Sequence, residues 1–109
     1  MVEIPIIIQI GPIRYTVAYS QQAMDAYNIK NREDCVGAAE HGIGVITIGD
    51  KQNRDNQADT LLHEVLHAIL SVYNLHDKTA DEHFVALLAT TLLDTLRRNP
   101  VLVDYLVEQ

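Results

Sequence analysis

TLLHEVLHAIL, residues 60–70, sets two histidines and a glutamate into an otherwise apolar run. Leu62, Val65, Leu66, Ile69 and Tyr73 recur at the spacing of one helix face. The stretch therefore predicts an amphipathic helix from about Asp55 or Asp59 to about Asn74, with those five residues toward the core. An unpaired buried polar group costs free energy, and a buried charge costs more. His63, Glu64 and His67 thus call for something that binds them.

Residues four apart on a helix stand one above the other on the same face. His63 and His67 can hold one ion between their ring nitrogens. Glu64, one step further round, reaches beside the ion and not onto it, where its carboxylate can take a proton from a water that the ion activates. This is the mechanical content of H-E-x-x-H, which HEVLH satisfies. Zinc is the expected ion, because it accepts imidazole and keeps an open position in catalytic sites with three protein ligands. The plain alternative, two partly exposed histidines and a solvated glutamate, leaves three polar groups without partners on an apolar turn.

A third ligand must come from elsewhere. His41, His76, Asp77, Asp81, Glu82 and His83 are candidates. The short turn LHDKT, residues 75–79, folds a second helix, about Thr79 to Arg98, back across the first. On it Glu82 shares a face with Ala86, Ala89 and Leu93, and the alanines allow close approach; His83 falls on the line of Leu87, Thr90 and Asp94. Glu82 is favoured, with His83 the alternative. Thr79-Ala80-Asp81-Glu82 also reads as a capping box, in which Glu82 would serve the helix start alone.

These residues resemble a known group. TLLHEVLHAIL, an acidic helix start, an apolar helix and an NP ending look like the compact zincin metallopeptidases of phages and mobile elements, related to ImmA/IrrE-type metallo-endopeptidases and SprT-like proteases. The resemblance spans roughly residues 35–100, and HExxH is its one strict motif. It implies zinc on His63, His67 and Glu82, Glu64 as general base, and an extended substrate pairing with an edge strand above the motif helix. GVITIG, residues 44–49, is the expected strand. The segment DEHFVALL departs from the usual third-ligand segments of both related groups, so Glu82 and His83 both stay open. Tyr19, Tyr73 and His41 are candidates to stabilise the oxyanion, and spacing does not choose among them.

Around the motif, IPIIIQI (4–10) and IRYTVAYS (13–20) read as strands joined at Gly11-Pro12 into a hairpin. Ser20 is a plausible N-cap for a short helix over 20–29, and residues 30–42 read as polar and irregular. A third strand covers 42–50. Asn99-Pro100 predicts an N-cap and first turn for a closing helix, and Arg97 and Arg98 suit the negative end of the helix before it. Strands first and helices after give an α+β layout: a small antiparallel or mixed sheet on a helical zincin core, in one domain over the 109 residues.

The composition is globular, with 48% hydrophobic and 21% charged residues. A formal charge of −7 argues against a general nucleic-acid binder. The acidic, short apolar opening is neither a signal peptide nor long enough to cross a bilayer. The lone Cys35 rules out an internal disulfide, reads as a small buried apolar residue, and fits a reducing, cytoplasmic setting. The expected function is zinc-dependent peptide-bond hydrolysis by metal-activated water, with a peptide or protein as the partner. The rivals are a zinc-binding regulatory or assembly protein without activity and a metal-dependent hydrolase of a non-peptide bond. The sequence leaves the oligomeric state open.

Overall fold

The structure is a computed structural model that describes residues 3–73 and 82–108. Strands β1 (Ile7–Ile10) and β2 (Ile13–Tyr19) form the expected hairpin, and Gly11 takes the left-handed conformation its turn requires (φ 55°). Helix α1 (Gln21–Asn31) follows, with the Ser20 hydroxyl accepting from the Ala23 amide at 3.1 Å. Then come β3 (Gly37–Glu40) and β4 (Val45–Ile48), the long helix α2 (Arg54–Val72), and α3 (Glu82–Arg98) and α4 (Pro100–Val107). This is an α+β fold with a mixed sheet.

The strand order is β1-β2-β4-β3. β4 runs parallel to β2, with Thr16 opposite Val45 and Tyr19 opposite Ile48, and antiparallel to β3, with Gly37 opposite Ile48 and Glu40 opposite Val45. Two expectations are corrected here. Residues 30–42 are not irregular throughout, since they contain β3. GVITIG is not the edge: β4 is paired on both sides, and β3 is the edge strand on that flank. Pairing order is set by the crossover through α1, which no local pattern encodes.

Ile10, Tyr15, Val17, Ile46, Ile48 and Ala68 form the core between the sheet and α2, with Leu61, Val65, Ile69 and Val72 packed against it. Complete burial of Ile46 and Ile48 contributes about 1.5–3 kcal/mol each. Tyr73, expected in this core, is 54% exposed, and Leu62 and Leu66 are only half-buried. The most buried row of α2 is instead Thr60, Glu64 and Ala68, spaced by four. Thr60 and Glu64 of this row lie against Gly37 of β3, so the most buried line of the helix is rotated away from Leu62 and Leu66. Asn53 caps α2 by accepting from the Asn56 amide at 2.9 Å.

α3 packs on α2 through Val85 and Ala89, which are buried, while His83, Leu87, Thr90 and Asp94 are exposed. Two polar ties add register: the Thr90 hydroxyl donates to Asp59 at 2.8 Å, and Arg97 donates to Asp55 at 3.2 Å. Pro100 opens α4 as expected. Asn99 stands at the N-cap position without capping; its side-chain amide donates to the Thr95 carbonyl at 2.7 Å. Among the described residues no helix is long and apolar enough to cross a membrane.

Candidate metal centre

His63 and His67 stand on consecutive turns of α2, with their Nε2 atoms 3.2 Å apart. Glu82, at the first described position of α3, reaches both: one carboxylate oxygen contacts His63 Nε2, and the other lies 3.0 Å from His67 Nε2. One ligand atom from each residue can be chosen so that all lie within 4.8 Å of one another. Two nitrogens on one tetrahedral zinc, each about 2.0–2.1 Å from it, sit about 3.3 Å apart. The imidazole pair already has that separation, so the donor set fits such an ion.

The predicted residues divide clearly. His63, His67 and Glu82 converge. His83 is exposed on the outer face of α3 and takes no part in this cluster. His76, Asp77 and Asp81, and the capping box at 79–81, lie outside the described residues. His41 is not in the cluster but lines the cavity beside it. Tyr19 donates to the Pro5 carbonyl at 2.7 Å and faces a different pocket, and the Tyr73 hydroxyl sits beside Gly11.

Glu64 is 8% exposed. Burial pushes its carboxyl up to about 7; the nearby His63 works against this, and the Glu82 charge adds to it. It lines two lobes of one cleft. A cavity of about 460 Å³ includes Tyr27, Cys35, His41, Glu64, His67 and Glu82. A second, of about 300 Å³, includes Asp34, Asp59, His63, Glu64 and Glu82. Gly37 of β3 lines both.

Gly37 is the residue the motif could not announce. A Cβ at this position would collide with the Thr60 methyl and stand 3.3 Å from the Glu64 side chain. Only glycine lets the edge strand cross the motif helix this closely. Upstream, Asn28 clamps the approach to β3: its side-chain amide donates to the Cys35 carbonyl, and its carbonyl oxygen accepts from the Cys35 amide, both at 2.9 Å. Cys35 is half-buried on the cleft wall and not in the core. Burial, a hydrogen bond from its thiol to Glu33 and the surrounding carboxylates push the thiol up to about 11, so it is held protonated and unreactive.

No family model matches the chain, and neither the curated proteins nor the solved structures searched gave a match. The resemblance to compact zincins therefore rests on the sequence motif alone.

Proposed function

We propose that the protein is a zinc-dependent peptidase of the compact zincin kind, with His63, His67 and Glu82 as metal ligands and Glu64 as general base. The observation that carries this reading is the convergence of two imidazoles and a carboxylate, from two helices, on the cleft that the buried Glu64 also lines. When bound, the ion supplies Lewis acidity toward the carbonyl and the attacking water.

The remaining work belongs to the chain. Glu64 takes a proton from water as the water oxygen bonds to the peptide carbonyl carbon. It returns that proton to the departing nitrogen as the C–N bond breaks, leaving an acid and an amine. β3 replaces residues 44–49 as the strand to hold an extended substrate. Its position at the sheet edge, against α2, supports main-chain pairing with a peptide beside the metal cluster. That edge favours a peptide over a non-peptide substrate, and the carboxylate of Glu64 beside the cluster favours an enzyme over a binding-only protein. A cytoplasmic setting belongs to the same reading, and a lone cysteine with no partner for an internal disulfide is compatible with it.

The test is Glu64→Gln assayed on denatured casein. The variant is expected to keep normal zinc content and lose at least about a hundredfold in hydrolysis, the low end of general-base contributions. Hydrolysis unchanged in Glu64→Gln, or absent from zinc-loaded wild type, would refute the peptidase reading.

A further inference from the structure

Tyr27, Glu33 and Cys35 line the larger lobe of the cleft, and the hydrolytic scheme above gives them no role. The end of α1 brings them together. Arg32 takes the left-handed conformation there (φ 55°), and the amides of Arg32 and Glu33 both donate to the Asn28 carbonyl. The two hydrogen bonds between the Asn28 side chain and the Cys35 backbone hold the chain as it leaves the helix. The Glu33 carboxylate accepts from the Cys35 thiol at 3.0 Å. A carboxylate has about four lone-pair positions, so Glu33 can still accept from a ligand. Glu33 is exposed and Tyr27 half-buried.

The charge of the cleft is one-sided. Glu33, Asp34, Asp59, Glu64 and Glu82 line its two lobes, and among the described residues no lysine or arginine does. Five carboxylates less a bound dication and one proton on Glu64 still leave two negative charges. Glu64 is 8% exposed, and among the described residues its carboxylate has no hydrogen-bond partner. Two neutral groups of the larger lobe register the field. Burial first, and then the acidic groups around it with Glu33 foremost, push the Tyr27 phenol up. The Cys35 thiol is raised by burial and by Glu33 in the same way. A cleft lined by one sign of charge concentrates ligands of the other.

We propose that Tyr27 and Glu33 form a subsite for a cationic side chain of the substrate, an arginine or a lysine beside the bond that is cut. The proposal rests on the peptidase reading above. The Glu33 carboxylate accepts charge-assisted hydrogen bonds from the cation, and the Tyr27 ring gives it an aromatic face and its stem an apolar contact. Cys35 stands two residues before Gly37, where β3 begins. A peptide that pairs along β3 and continues past its first residue therefore carries a side chain to this wall. Arginine suits the pair better than lysine, because its planar fork matches a carboxylate and stacks on a ring.

The experiment separates binding from turnover by using metal-stripped protein, followed by NMR chemical-shift titration, which reads millimolar affinities. The probe is the end-blocked peptide Gly-Ser-Ala-Ala-Arg-Ala-Ala-Ser-Gly, compared with the same peptide carrying citrulline, the neutral isostere of arginine. At low salt the arginine peptide should bind about tenfold more tightly, as expected for a charge-assisted contact with an aromatic neighbour. The preference should shrink as salt is raised, because Glu33 is exposed and screened. Glu33→Gln, which keeps the shape and an acceptor for the thiol, should bring the two peptides to within about twofold. Tyr27→Leu should weaken the arginine peptide about threefold and Tyr27→Phe should not, since the ring makes the contact. Thermal unfolding reports that each variant is folded. With zinc-loaded wild type, mass spectrometry of casein fragments should show cuts enriched beside arginine and lysine.

Equal affinity for the arginine and citrulline peptides, an arginine preference that survives Glu33→Gln, or no binding of either peptide overturns the proposal. Casein hydrolysis that depends on Glu64 but ignores arginine and lysine removes the subsite and leaves the peptidase. Arginine-selective binding that is lost in Glu33→Gln, without hydrolysis by the zinc-loaded wild type, removes the peptidase and leaves a cation-binding cleft.

Discussion

β3 and α4 are both short, peripheral elements, and they are held in opposite ways. β3 is Gly-Ala-Ala-Glu, with no large apolar side chain, yet Ala38 is buried and Gly37 lies in tight contact with Thr60 and Glu64. α4 is mostly apolar, yet it buries none of its residues, and Val101, Tyr105, Leu106 and Val107 are all more than half exposed. The difference teaches that apolar content does not mark where this fold is tight. Closeness of approach does, and smallness creates it at the point where a strand must cross the helix that carries the two proposed histidine ligands. The same contrast runs through the site: the two histidines are seated on α2 with side chains 17% and 22% exposed, while Glu82 on α3 is 72% exposed.

The largest expected effect is at the seated half of the site. His63→Ala or His67→Ala should weaken zinc binding by more than about a hundredfold, beyond the 10–100-fold typical of groups that merely orient a ligand. Each should also lose the stabilisation that zinc confers by binding only the folded state, about 2.7 kcal/mol at a hundred times Kd. Zinc titration followed by thermal unfolding checks both. Glu82→Ala should follow with a loss of roughly tenfold or more, while His83→Ala leaves affinity unchanged, because His83 lies outside the cluster. The readout must be zinc affinity and not melting temperature, since Glu82 also lies in the first turn of α3. Release of zinc by His83→Ala alone would reverse the assignment.

Gly37→Val tests the seam itself. The added side chain must displace Thr60 and Glu64, so a loss of about 1–3 kcal/mol is expected from overpacking, measured by denaturant unfolding of metal-free protein. Wild-type stability in this variant would mean that β3 does not press on α2. The smallest effect is expected at α4, where Val101→Ala should stay within about 0.5 kcal/mol, as for surface positions. A large loss there would show that α4 is buried against something in solution, and the contrast with β3 would fail.

What could be read from the sequence was what local spacing encodes. His63, Glu64 and His67 were legible because an i, i+4 pair on an amphipathic helix defines its own geometry. Glu82 followed from the face it shares with Ala86 and Ala89. β3 was not legible, because Gly37, Ala38 and Ala39 have little strand preference and become a strand only through pairing with β4 and packing on α2. The edge was misplaced onto residues 44–49 for the same reason: strand order depends on a crossover. Tyr73 was expected inside because helical periodicity fixes a face but not its rotation, and Gly37 of β3 lets Thr60 and Glu64 turn inward. The hydrogen bond between the Tyr15 hydroxyl and His41 Nδ1, 2.9 Å long, carries no local signal, since the two residues are 26 positions apart and meet only in the folded chain.

The most direct measurement is the metal content of the purified protein, read by elemental analysis and followed by titration of stripped protein with zinc and cobalt(II). About one zinc per chain is expected in the wild type, and none in the His63→Ala, His67→Ala double variant. A wild type that is metal-free and takes up neither ion, or a double variant that binds as well as the wild type, would contradict a metal centre on His63, His67 and Glu82.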